Sequence, residues 1–221
     1  MAAPGTQAAF ASYIADSRKR NIPDAIIDAA RLCLADWMAV AIGAGDEPAG
    51  RVVRKTVASW QSKGRSHVLF GGTAAPALAA LANGTLAHCL DFDDTHVGAI
   101  THTSAPVWAA TLALGEERQA SEHDMLRAFI TGFEVATRAQ SGGLGQKEGD
   151  GARLAFDGDL GPHWRGAASA LLELDAARAS NFPWRRCNPS RWPDSVFRHH
   201  GKAVSRWKSS DGRHSRSRAC R

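Results

Sequence analysis

Pro76-Ala77-Leu78-Ala79-Ala80-Leu81-Ala82-Asn83-Gly84-Thr85-Leu86-Ala87-His88-Cys89-Leu90-Asp91-Phe92-Asp93-Asp94-Thr95-His96 is the stretch on which the fold turns. The element that carries its alanines determines where its acidic residues sit. Alanine is the strongest helix former, proline is tolerated in a first helical turn, and no valine or isoleucine occurs between Leu78 and Leu90. The spacing predicts a helix from about Ala74 to Leu90, which Asn83-Gly84 can interrupt. Asp91, Asp93, Asp94 and Thr95 then fall at a helix end. Between Ala87 and His102 stand three carboxylates, two hydroxyls and three imidazoles, flanked by uncharged apolar sequence. Desolvating such groups requires mutual hydrogen bonds or a bound ligand, so this polar knot is the candidate site.

Simpler readings exist for each residue. The aspartates could form a solvated acidic turn, although their flanks are apolar on both sides. His88 lies on the apolar run and reads as a satisfied core histidine, whereas His96 and His102 are better placed for chemistry. Aspartate and histidine are good metal ligands, but the spacing matches no familiar zinc or two-metal pattern, so no metal is assigned. Asp91-Phe92-Asp93-Asp94-Thr95 also fits a D-x-D-x-T signature of magnesium-dependent phosphotransferases. That chemistry needs Asp91 at the C-terminal end of a buried strand, and the residues before it read as helix.

Outward from the knot the chain reads as helices with short joints. Gln7 to Arg18 is a first helix, and Pro23-Asp24 opens a second that runs to about Ile42. Ile26, Ala29, Ala30, Cys33, Trp37 and Val40 recur at spacings of three and four, which predicts one buried stripe. Pro48 to Ser62 gives a third helix, and Ser66 to Phe70 is a short apolar run of strand character. Ser104 to Glu117 is helical, and Ser121-Glu122-His123-Asp124 resembles a capping box ahead of a helix from Met125 to Arg138. The fold class expected is mainly α.

Composition narrows the setting. With 221 residues and 44% apolar side chains the chain can bury a sizeable core. Cys33, Cys89, Cys187 and Cys220 form no C-x-x-C pair, which argues against a zinc ribbon or disulfide framework and fits a reducing, cytoplasmic setting. No secretory signal is visible, and the uncharged runs Gly71 to Leu90 and Val97 to Gly115 carry too many polar residues and prolines to read as membrane spans. The net charge of +5 is unevenly placed: residues 181–221 carry +9, which leaves −4 for residues 1–180.

The run from Pro76 to His88 leading into Asp91-Phe92-Asp93-Asp94-Thr95-His96, followed by His102-Thr103-Ser104, resembles the MmgE/PrpD family, which usually has His-Pro-Ser at that last position. Gly132-Phe133-Glu134-Val135 and Arg138 resemble the helix that follows in the same family, and the likeness covers about residues 8 to 138. Members include 2-methylcitrate dehydratase, which serves propionate catabolism, cis-aconitate decarboxylase and an epimerase of iminodisuccinate. The resemblance implies a mostly helical large domain joined to a smaller α+β domain, a homodimer, a small carboxylic-acid substrate and no cofactor. It implies that Asp91, Thr95 and His102 line the pocket. Thr95 would donate to a substrate carboxylate, His102 would bind or protonate, and Asp91 would orient a substrate hydroxyl or a histidine. Asp94 and His96 would bind substrate or stand behind these groups, capping the helix end and setting the geometry.

Family members are about twice this length, and segments that complete their pocket, a histidine in Arg-Gly-Trp-His and a lysine in Lys-Pro-x-His, do not occur here. The expected organisation is a helical domain over residues 1–140 and an out-of-frame or disordered basic tail over 141–221. Phe197 to Lys208 can be encoded so that the frame one nucleotide downstream reads like the missing lysine segment, which points to a frameshift between about residues 139 and 160. Three functional classes follow. One is a lyase fragment with impaired activity, by ancestry a dehydratase of a small tricarboxylate or else a decarboxylase or epimerase. Another is a non-catalytic helical module whose basic tail binds nucleic acid, for which the case is weaker. The third is the magnesium phosphatase. No membrane partner is expected.

Overall fold

The alanine-rich stretch forms a helix, and its small residues explain how the rest packs around it. The computed structural model describes residues 6–97, 101–144 and 170–172. In chain order these give α1 (Thr6–Ala15), a 3-10 turn (Ser17–Lys19), α2 (Asp24–Gly43) and α3 (Pro48–Ser59). The two-residue strands β1 (Ser66–His67) and β2 (Thr73–Ala74) follow, then α4 (Pro76–His88), α5 (Ser104–Arg118) and α6 (Glu122–Leu144). The architecture is mainly α, with β1 and β2 paired antiparallel as a small hairpin.

Asn83-Gly84 does not interrupt α4, which runs unbroken from Pro76 to His88. The pair docks the helix instead. The Asn83 side chain accepts from the Leu69 N–H at 2.9 Å and donates to the His67 carbonyl at 2.9 Å, so one buried amide satisfies the backbone of the hairpin. A Cβ at position 84 would lie 3.3 Å from the Ala109 Cβ, so glycine allows α4 to lie close on α5. Gly64 is under a harder constraint, since a Cβ there would meet the Ala74 carbonyl oxygen at 2.3 Å.

α5 is the central helix, buried on nearly every side through Ala105, Val107, Trp108, Ala109, Ala110 and Ala113. A helix apolar all round belongs inside a bundle, and α5 packs against α2, α4, α6 and β1. Trp108 stacks on Phe129 of α6 with ring centroids 4.1 Å apart. Trp37 of α2, at 1% exposure, donates its indole N–H to the Ala105 carbonyl at 3.0 Å. The stripe expected on α2 is buried or half-buried throughout. The Ser121 cap forms as expected, but α6 begins at Glu122 rather than Met125 and runs past Arg138 to Leu144: the Asp124 N–H donates to Ser121 Oγ at 3.1 Å, and that hydroxyl donates to the Asp124 carboxylate at 2.8 Å.

The strand reading of Ser66 to Phe70 survives only at Ser66–His67; beyond it Val68 to Gly71 turns, and Phe70 is exposed with φ at 59°. The first helix ends at Ala15 and continues as the 3-10 turn, and the third ends at Ser59. Ala170 and Leu171 are buried against Phe10, Ala11 and Ile14 of α1 and Ala128 and Val135 of α6. Of the expected frameshift window, residues 139–144 belong to α6, and its remainder, like the basic run 181–221, lies outside the described residues. Among the described residues no helix is long and apolar enough to cross a membrane.

Candidate active site

The site is built by the end of α4, the loop after it and the start of α5. α4 ends at His88, and three residues later Asp91 takes a left-handed backbone conformation, φ 56°, with its N–H donating to the His88 carbonyl at 3.0 Å. Aspartate tolerates this region better than most residues. The reversal folds the chain back so that Asp93 lies under His88. The Asp93 side chain is 1% exposed, and both its oxygens face His88 Nδ1, at 3.1 and 3.0 Å.

His102, just before α5, closes the group from the other side. Its Nδ1 lies 3.2 Å from the Asp93 carbonyl and 3.3 Å from Asp93 Oδ1, while its Nε2 lies 3.5 Å from Asp91 Oδ1. The His88 and His102 ring centroids are 5.0 Å apart. Asp91 and His102, two of the three residues expected to line the pocket, therefore meet. Thr95 is exposed, two residues past Asp93, and makes no hydrogen bond among the described residues. A small cavity among the described residues lies elsewhere, between the 3-10 turn, α6 and Leu171.

Asp94 serves α5. Its carboxylate accepts from the Ser104 N–H at 3.2 Å and from the Ser104 hydroxyl at 2.7 Å, so it satisfies the helix N-terminus from outside. Burial raises its pKa, while the two bonds from Ser104 pull the other way. Cys33 lies close by, and burial, aided by the Asp94 charge, pushes its thiol up to about 11, so it stays protonated. Asp94→Ala is expected to cost about 1–2 kcal/mol in urea unfolding, the worth of a lost helix cap, while Asp94→Asn retains most of it. His96 pairs through its backbone, its N–H donating to the Thr101 carbonyl at 2.8 Å, and its ring meets Phe133 edge-on at 6.2 Å.

From the sequence His88 reads as a satisfied core histidine, and Asp93 has a part only in the D-x-D-x-T pattern, as its second carboxylate. The structure gives His88 a half-exposed side chain, 52%, bonded to a buried carboxylate. The signal available was the D-x-D alternation beside a histidine five residues back. Its reading depends on the turn at Asp91.

Asp93 holds the His88 pKa above its ordinary value, chiefly through the hydrogen bond. A group whose folded pKa is raised contributes stability that is complete below its unfolded pKa, about 6.5, and is lost as pH rises through the folded value. Urea midpoints are therefore expected to fall as pH rises across neutrality, and His88→Gln should flatten that slope. An unchanged slope in the variant would remove the assignment.

Thr103, fully buried next to His102, has no partner for its hydroxyl among the described residues. Thr103→Val is expected to be neutral or stabilising by about 1 kcal/mol, because a buried unpaired hydroxyl is costly. His88, Asp91, Asp93 and His102 each offer one ligand atom, all within 4.8 Å of one another, and they are the residues that could hold a divalent ion. Asp91 follows a helix, so the strand end that a D-x-D-x-T phosphotransferase requires is not where Asp91 sits.

The family model for the MmgE/PrpD N-terminal domain matches residues 8–180. The match extends past Arg138, where the likeness read from the residues ends, and stops where the basic run begins. A search of the curated proteins found no match.

Proposed function

From the premise that the chain belongs to the MmgE/PrpD family, a family of dehydratases and other lyases, we propose that the knot is the N-terminal share of a lyase site for a small tricarboxylate such as 2-methylcitrate. The observation that carries this reading is the contact between Asp91 and His102, 3.5 Å apart on a loop held by a buried carboxylate. A proton on carbon next to a carboxylate is weakly acidic, so its removal needs a positioned base and donors for the developing negative charge. His102 is the proton-transfer group, Asp91 aligns it or a substrate hydroxyl, and the exposed Thr95 hydroxyl is free to donate to a substrate carboxylate. Decarboxylation or epimerisation would use the same residues on a different acid.

In the same proposal, residues 181–221 are out-of-frame translation. What supports this is the coincidence of three features at one boundary: the family match ends at 180, the basic run begins at Asn181, and aliphatic periodicity fades. Ala170 and Leu171, packed on α1 and α6, belong to the helical body. Because the family match runs to 180, the break is sought beyond the expected window of 139 to 160, and sequencing the gene through codons 139 to 180 tests it.

Ligand class is tested by thermal shift of the 221-residue chain with 2-methylcitrate, citrate, cis-aconitate, magnesium, and duplex DNA at two salt concentrations. A tricarboxylate is expected to raise the midpoint, and Asp91→Ala and Thr95→Ala to abolish the rise. Stabilisation by DNA that disappears at high salt would favour the non-catalytic module, and stabilisation by magnesium alone a cation on the cluster of His88, Asp91, Asp93 and His102.

A further inference from the structure

We infer that His88, Asp91, Asp93 and His102 form a binding site for one divalent transition-metal ion of the zinc class. The inference goes beyond the lyase reading and does not rest on it, because the four groups can hold an ion with or without a substrate acid.

The separations suit a coordination shell. Zinc holds imidazole nitrogen and carboxylate oxygen at about 2.0–2.2 Å, so neighbouring donors of a tetrahedral ion stand about 3.3–3.6 Å apart. His102 Nδ1 lies 3.3 Å from Asp93 Oδ1, and His102 Nε2 lies 3.5 Å from Asp91 Oδ1. Both distances exceed the usual hydrogen-bond range of about 2.7–3.2 Å, yet each matches an edge of the tetrahedron. Whichever nitrogen of His102 binds, a carboxylate oxygen therefore stands at the next corner. With Nε2 on the ion, Nδ1 is left to donate to the Asp93 carbonyl at 3.2 Å, the kind of outer contact that fixes a metal-bound imidazole. Each of the four residues offers one ligand atom, all within 4.8 Å of one another. Closing the shell takes side-chain shifts below about 1 Å. Asp91, 79% exposed, has the freedom to make them.

Charge and donor type select the ion. Two carboxylates balance a divalent charge, and the buried Asp93 carboxylate is one whose desolvation an ion offsets. Mixed imidazole and carboxylate donors suit zinc and cobalt, whereas magnesium and calcium prefer oxygen alone. The exposed side chains of His88 and Asp91 leave one side open to solvent, so an ion can enter. His88 ends α4, the aspartates lie in the loop, and His102 stands two residues before α5. An ion held by all four ties α4 to α5, so its binding adds to the stability of the fold. Spacing along the chain does not reveal the set, since the left-handed turn at Asp91 and the docking of α5 bring it together.

The test is made on the untagged 221-residue chain, stripped of metal with a chelator and titrated with cobalt(II), whose visible absorption bands report its donors and geometry. The bands are expected to saturate at one equivalent, to disappear when one equivalent of zinc is added, and to withstand a large excess of magnesium. Zinc should also raise the thermal midpoint. Replacing both imidazoles, His88→Gln with His102→Gln, should weaken cobalt binding at least about tenfold, while His67→Gln and His123→Gln leave it unchanged. Unchanged binding in the double variant would place the ion elsewhere and overturn the inference, as would the absence of saturable bands in the unmodified chain. Displacement of cobalt by magnesium would overturn the class of ion. Should the double variant fail to fold, Asp91→Asn decides: asparagine tolerates the left-handed turn and alters an exposed side chain, so the fold stays while a charged ligand goes. Its cobalt affinity should fall at least about tenfold, and an unchanged affinity would overturn the inference. Cobalt binding is read without any acid, so it stands or falls separately from the tricarboxylate thermal shift that tests the lyase reading.

Discussion

The 221-residue chain is expected to turn over 2-methylcitrate or cis-aconitate at a rate roughly 10³-fold or more below that of a version restored to the alternative frame. Removing one member of a cooperating acid–base set commonly loses several orders of magnitude, and the resemblance implies that a lysine and a further histidine act with Asp91, Thr95 and His102. Neither of their sequence contexts occurs in the chain. Both polypeptides are purified and assayed by the absorbance of the unsaturated acid and by carbon dioxide release. Comparable turnover by the two would reject the fragment reading and show that the helical body suffices. Activity in the restored chain alone would support it, and Asp91→Ala in that chain should then abolish the rate without unfolding the protein.

Trp37→Ala is expected to be the most damaging single change in the helical body, at about 3–5 kcal/mol. The indole is 1% exposed, it fills the junction of α2 with α5, and its N–H satisfies the Ala105 carbonyl. Alanine leaves a cavity and removes the indole hydrogen bond to α5. Since whole domains are stable by only about 5–15 kcal/mol, the loss consumes a large share of the margin. Trp37→Phe separates the two contributions: most of the volume stays while the hydrogen bond goes, so a cost of about 1–2 kcal/mol is expected. Urea unfolding followed by far-ultraviolet circular dichroism measures both. Equal costs for the two variants would mean that the hydrogen bond, rather than packing, dominates.

Much of this arrangement was legible before any coordinate. The alanines of α4, the Pro23-Asp24 and Pro48 starts, the stripe through Trp37 and the Ser121 cap each depend on residues within one or two turns of one another. The polar knot was visible too, since three carboxylates and three imidazoles amid apolar flanks need partners wherever the chain puts them. Asn83-Gly84 shows where local reasoning stops. The pair has the composition of a break, yet α4 runs through it, because the hairpin supplies partners for the amide and Ala109 leaves space only for glycine.

The helical body, the place of the polar knot along the chain and the family were thus properties of the sequence, carried by periodicity, capping and motif spacing that act over a few residues. Which carboxylate is buried was not. Asp91 and Asp93 are equivalent in a D-x-D pattern, and their exposures of 79% and 1% are set by the left-handed turn at Asp91 together with the docking of α5, which brings His102 against the loop. The same docking gives His88 its partner. Burial and hydrogen-bond partners belong to pairs of elements packed together, so only the tertiary structure could decide that Asp93 sits between two histidines.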